Sequence, residues 1–154
     1  MADLYTTEYT NAINNNTRNS PNKEGEVHYF YCRFTGTALT SSDTLYVAKM
    51  EAGSKILPQS LVIISDLEAS ASVSVGYAAH TGIDGTSVSA DPDAFISALD
   101  ASSARTKTNF DESTTHDDGF TFTGSGDITL SLAAGTSVAG DTFDFHIQYT
   151  KGGE

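Results

Sequence analysis

His28, His80, His116 and His146, together with 20 Asp and Glu residues, are the side chains of this 154-residue chain best suited to acid–base chemistry or metal ligation. None of them stands in a spacing that demands either. His116-Asp117-Asp118 lies in an oxygen-rich stretch followed by Gly119, but it lacks the D-x-[DN]-x-[DN]-G order of a calcium loop. Asp84-Gly85, Asp91 and Asp93 have the same weakness as ligands. Paired-carboxylate hydrolysis needs two acids held about 5–9 Å apart in a cleft. With 20 acids in the chain, any chosen pair is arbitrary. Gly124-Ser125-Gly126 begins like a dinucleotide fingerprint, yet it lacks the third glycine and joins strand-like runs, so it reads as a hairpin turn. There is no G-x-S-x-G elbow. The expectation is a protein that is not an enzyme, with no catalytic residues, no cofactor and no metal.

The elements that must carry these residues are strands. A two-residue beat of apolar and hydroxyl side chains runs through Ala71-Ser72-Val73-Ser74-Val75-Gly76-Tyr77, Ile128-Thr129-Leu130-Ser131-Leu132 and Phe143-Asp144-Phe145-His146-Ile147-Gln148-Tyr149. Successive strand side chains point to opposite faces, so each run turns an apolar face inward and a polar face outward. His146 then shares the polar face with Asp144 and Gln148, where an ordinary cross-strand pair is expected. Further runs at 27–34, 44–50, 55–57, 60–66 and 120–122 bring the count to about eight, with 60–66 apolar on both faces and therefore central. One helix is expected: Asp91 can cap it, Pro92 fits its first position, Asp93 suits its dipole, and Phe95, Ile96 and Leu99 form its apolar side. The fold class is all-β, an antiparallel two-sheet sandwich, jelly-roll-like, with one short helix.

Composition narrows the partners. Eight Lys and Arg against 20 Asp and Glu give a net charge of −12, and the basic residues form no dense cluster. Such a surface repels phosphate backbones, so nucleic acid is not an expected partner. The longest apolar run, Leu61-Val62-Ile63-Ile64, is too short to cross a bilayer, so no membrane is expected either. The opening residues show no basic segment followed by an apolar core, so no secretory signal is expected and synthesis in a reducing cytoplasm is. Cys32 is the only cysteine and reads as a small buried thiol. Tyr29, Tyr31 and Tyr46 either pack in a core or interface or offer rings that a sugar could stack on.

Two regions follow: a polar arm over residues 1–25 and a β-sandwich domain over 26–154. In the arm only Leu4, Tyr5, Tyr9 and Ile13 can pack, which is too little apolar surface to offset the entropy of ordering. It is either a tail or a segment that orders against a neighbour.

The middle of the chain resembles small virion proteins of tailed bacteriophages. The residues that carry the likeness are Met50-Glu51-Ala52-Gly53-Ser54-Lys55-Ile56-Leu57, the run 61–66, Ser72-Val73-Ser74-Val75-Gly76-Tyr77, and Asp93-Ala94-Phe95-Ile96 with the segment 98–104. The closing run 140–149 matches in pattern only. Two departures stand out: Glu51-Ala52 replaces the proline before the turn glycine, and the loop 78–91 is long. The resemblance implies a capsid decoration or cement protein on the head exterior, assembled in the host cytoplasm as a homo-oligomer, a trimer in this reading, with the major capsid protein as partner. It makes Leu4, Tyr5, Tyr9 and Ile13 the expected contacts with the capsid or a neighbouring subunit. The alternative function is a receptor- or glycan-binding sandwich of a phage fibre or tail.

Overall fold

Period-two alternation governs the architecture, and its clearest product is the closing strand. In the computed structural model, which describes residues 3–5, 26–35, 37–110 and 119–151, Phe143, Phe145, Ile147 and Tyr149 are buried while His146 and Gln148 face outward. The strands in chain order are β1 (Asp3–Tyr5), β2 (Val27–Thr35), β3 (Thr44–Met50), β4 (Ser54–Ile56), β5 (Leu61–Ile64), β6 (Ser72–Tyr77) and β7 (His80–Thr81). They continue with β8 (Ser87–Val88), β9 (Asp91–Asp100), β10 (Thr106–Asn109), β11 (Phe120–Thr121), β12 (Gly126–Ala134) and β13 (Thr142–Lys151).

One sheet has the order β1-β3-β12-β6-β9. In the other, β13 is the spine. It pairs with β2 along one edge, from Thr142↔Thr35 to Thr150↔Val27, and with β5 and then β4 in tandem along the other. β10 and β11 flank β5 and β4 in turn. All these ladders are antiparallel except β1 on β3. The sheets face each other across one apolar core, and rings from both interleave. Tyr77 of β6 stacks on Phe120 of β11 at 4.3 Å, and Phe95 of β9 stacks on Phe110, beyond β10, at 5.3 Å. Cys32 is fully buried, with Sγ 3.9 Å from the Val47 carbonyl oxygen, which sets β2 over β3. The all-β sandwich expected from the sequence is the fold observed, and each of the eight expected runs contains a strand.

The expected helix is a strand. Residues 91–100 form β9, at the edge of its sheet, pairing with β6 from Tyr77↔Asp91 to Ser72↔Asp100. Two register shifts interrupt that ladder, and Ala98 has a φ of 49° with its N–H bonded to Ser74 Oγ at 3.0 Å. Bulges insert extra residues and break period two. That is why Ala94, Phe95 and Ile96 are buried in succession and mimic a helical stripe. Pro92 is tolerated because an edge strand need not donate on both sides. A helix this short is marginal in water, whereas β6 offers a ready row of backbone partners.

Gly124-Ser125-Gly126 is a turn but not a hairpin within one sheet. It carries the chain from β11 in one sheet to β12 in the other. A Cβ on Gly124 would lie 1.9 Å from the Thr81 carbonyl oxygen, so the crossing requires glycine there.

Candidate functional site

The feature that distinguishes this surface is β2 with the outward row of β13. Odd-numbered residues of β2 face away from the core. Val27 and Tyr29 are each 59% exposed and Tyr31 is 45% exposed. Isolated exposed apolar residues are ordinary, but three in register on one strand form a patch. The long β2–β13 ladder puts their partners in fixed places: Arg33 opposite Asp144, Tyr31 opposite His146, Tyr29 opposite Gln148.

Polar links hold the aromatic rings in position. The Tyr29 hydroxyl hydrogen-bonds to Nδ1 of His146, whose ring centre lies 4.9 Å from that of Tyr31. Tyr31 donates to Asp144 Oδ1 at 3.3 Å. Arg33 grips the same carboxylate with two bonds, Nε to Oδ1 at 2.5 Å and Nη2 to Oδ2 at 2.8 Å. The guanidinium hydrogen bonds hold the Asp144 carboxyl below the usual carboxylate range, against the opposing effect of burial. The Asp144 carboxylate in turn pushes the Arg33 guanidinium further up. Two rows then cross four strands, Arg33–Asp144–Ile63–Lys107 and Tyr31–His146–Leu61–Asn109. The result is a face, tied together by these bonds, with aromatic, cationic and half-buried aliphatic members. It suits a macromolecular contact, because Tyr and Arg are the side chains that anchor interfaces.

Among the described residues the one ladder of β2 is with β13.

The other residues singled out in the sequence are scattered. Tyr46 lies in β3 of the opposite sheet and does not join Tyr29 and Tyr31 in one platform. His28 stacks on Tyr149 at 5.3 Å. His80 is buried among Tyr77, Phe120 and Phe122, with Nδ1 3.2 Å from the Ala78 carbonyl oxygen. Its Nε2 has no hydrogen-bond partner among the described residues. His116-Asp117-Asp118 lies outside the described residues. Among those described, no group of three or more His, Cys, Asp and Glu side chains is placed to hold a metal ion.

The long loop after β6 contains the β7–β8 hairpin. Its tip is tied down: Ile83 N–H bonds to the Thr123 carbonyl at 2.9 Å, and Asp84 accepts from Thr86 N–H and hydroxyl, each at 2.9 Å. Those bonds, the backbone one foremost, hold the Asp84 carboxyl below its usual range. Ile83 itself stands 87% exposed on this fixed turn.

Of the expected contacts, Leu4 and Tyr5 lie in β1, opposite Leu45 and Tyr46 of β3. Leu4 is half-buried and packs against the molecule's own core. Tyr9 and Ile13 lie outside the described residues. Sequence reasoning noticed Tyr29, Tyr31 and the polar face of β13. It missed Arg33, whose partner is 111 positions away and becomes visible only through the β2–β13 register.

No protein-family model matches the chain, and no curated protein is similar to it in sequence. Solved structures are similar in fold. A chain from the capsid of Ralstonia phage GP4 superposes with a TM-score of 0.72 at 13% identity, covering 99% of this chain and 100% of that one. A chain of the capsid asymmetric unit of cyanophage Pam1 superposes with a TM-score of 0.51 at 19% identity, covering 88% and 94%.

Proposed function

We propose that this chain is a structural virion protein of a tailed phage, a decoration or cement subunit on the outside of the head. The observation that carries the proposal is the likeness of fold, over 99% of this chain, to a chain of a phage capsid. The net charge of −12 suits a position facing away from packaged DNA. In this reading the protein works by contact alone. The β2 face of Tyr29, Tyr31 and Arg33 rests on the major capsid protein or on a neighbouring copy, with homotrimers as the assembling unit. Binding the mature lattice and not its loosened form stabilises the lattice by mass action. The residues 1–25 act as an arm, with Tyr9 and Ile13 among its contacts.

The test is a titration of purified protein onto mature heads of the encoding phage that have been stripped of it, followed by sedimentation. Saturable binding at a simple ratio to the major capsid protein is the expected result. A second reading, an adhesin that binds a host glycan, draws on the exposure of Tyr29 and Tyr31. No binding to heads with intact binding to host cells would replace the first reading by the second.

A further inference from the structure

Asp3–Tyr5 is a three-residue strand seated parallel on Thr44–Tyr46, in the register Asp3↔Thr44, Leu4↔Leu45, Tyr5↔Tyr46. It is the sole parallel pairing among the described ladders, and a parallel pair cannot be closed by a tight turn. The chain must therefore travel between β1 and β2. It has little distance to cover, because β2 lies over β3, the strand that β1 borders. Stepping from one packed sheet to the other takes about 10 Å, and the five residues from Cys32 back to Val27 add about 17 Å along the strand. Residues 6–26 lie between the two strands and can span up to ~70 Å when extended. That is more than twice what a connection within one molecule needs. The surplus is polar, with Asn11, Asn14, Asn15, Asn16, Asn19 and Asn22 among it.

We propose that Asp3–Tyr5 is an exchangeable strand, which seats on Thr44–Tyr46 of a second copy of this chain as well as on its own. The seat is identical in both cases, with the same register and the same apolar slot for Leu4. Exchange of an identical element adds no new contact and loses none, so it is a low-cost route between copies. What decides between the two is concentration. A connection of this length gives its own strand an effective concentration of at most the millimolar range, falling as the connection lengthens. Copies brought to a comparable local concentration compete for the same seat. Sheet edges of neighbouring copies are then tied by a strand from next door. The inference concerns this chain with itself, and it stands whether or not a capsid is its partner.

Two variants test it, Asp3→Cys on a tagged chain and Thr44→Cys on an untagged one. Neighbouring strands lie about 4.8 Å apart, within the Cα range a disulfide allows. The two are mixed, brought from micromolar towards millimolar concentration, oxidised mildly and resolved without reductant. The double variant D3C/T44C, oxidised when dilute, reports the seat within one molecule. Exchange predicts closure of the dilute double variant. It also predicts, in an equal mixture, a tagged–untagged heterodimer well above the twofold excess over each homodimer that random pairing gives, its share of the chains rising about tenfold for a tenfold rise in concentration while self-seating dominates. Heterodimer at or below that random ratio at every concentration would overturn the proposal. So would failure of the double variant to close, since β1 would then have no such seat.

Discussion

Arg33 and Asp144 face each other across β2 and β13, and the guanidinium holds the carboxylate with two bonds, at 2.5 and 2.8 Å. Arg33 is 54% exposed while the Asp144 side chain is 5% exposed. The pair therefore lies between a surface ion pair, which contributes little, and a buried one, which is costly to break. Arg33→Ala leaves a covered carboxylate without its cation and is expected to lower the denaturant midpoint modestly, since water reaches the guanidinium and screens the pair. Arg33→Lys loses the two-pronged grip and falls between. Denaturant titrations of the three proteins would show this order.

The same pair sets an acid dependence. Asp144 has a folded pKa below its unfolded value, so its contribution to stability is complete above the usual carboxylate range and is lost as pH falls through the lowered folded value. Unfolding free energy is expected to decline below about pH 4. Arg33→Ala should remove much of this group's share of that decline, because the guanidinium hydrogen bonds are the main cause of the shift. Denaturant midpoints for both proteins between about pH 5 and 2.5 give the comparison. Parallel curves would mean that the pair is not the cause.

Gly76 tests the assignment of β9. A Cβ there would lie 2.0 Å from the Asp91 carbonyl oxygen and 2.5 Å from the Pro92 carbonyl carbon, both backbone atoms. Gly76→Ala is expected to push the start of β9 off β6 and to cost ~3 kcal/mol or more, as a forced overpacking does. Amide exchange should show protection lost first over residues 91–96. A neutral substitution would contradict the β6–β9 register.

These tests separate what the sequence reveals from what it conceals. The runs at 71–77, 128–132 and 143–149 are legible because alternation is a local property and each sits inside a regular ladder. β9 is not, because its bulges replace alternation with three successive buried residues. β10, Thr-Lys-Thr-Asn, has no apolar residue at all and owes its form to the edge of β5. The candidate site is half legible. Tyr29 and Tyr31 are visible as aromatic residues on a strand, but their shared face with His146, Asp144 and Arg33 depends on a pairing more than a hundred residues apart in the chain. Tyr46, equal to them in sequence terms, belongs to the other sheet.

Tyr29 and Tyr31 carry the interface prediction. Tyr29→Ser with Tyr31→Ser removes two exposed rings and no core contact, so the melting temperature should fall by only a few degrees. Affinity for stripped heads should fall at least about tenfold, the loss expected from interface anchors. Unchanged affinity in a folded double variant would move the contact away from the β2 face.

A reconstruction of the mature head of the encoding phage, at a resolution that shows strands, tests the central claim most directly. The proposal predicts this two-sheet sandwich on the outer surface of the shell, with the β2 face of Tyr29, Tyr31 and Arg33 turned towards a neighbouring subunit. A shell without it, and the same sandwich found on a tail or fibre, would contradict the assignment.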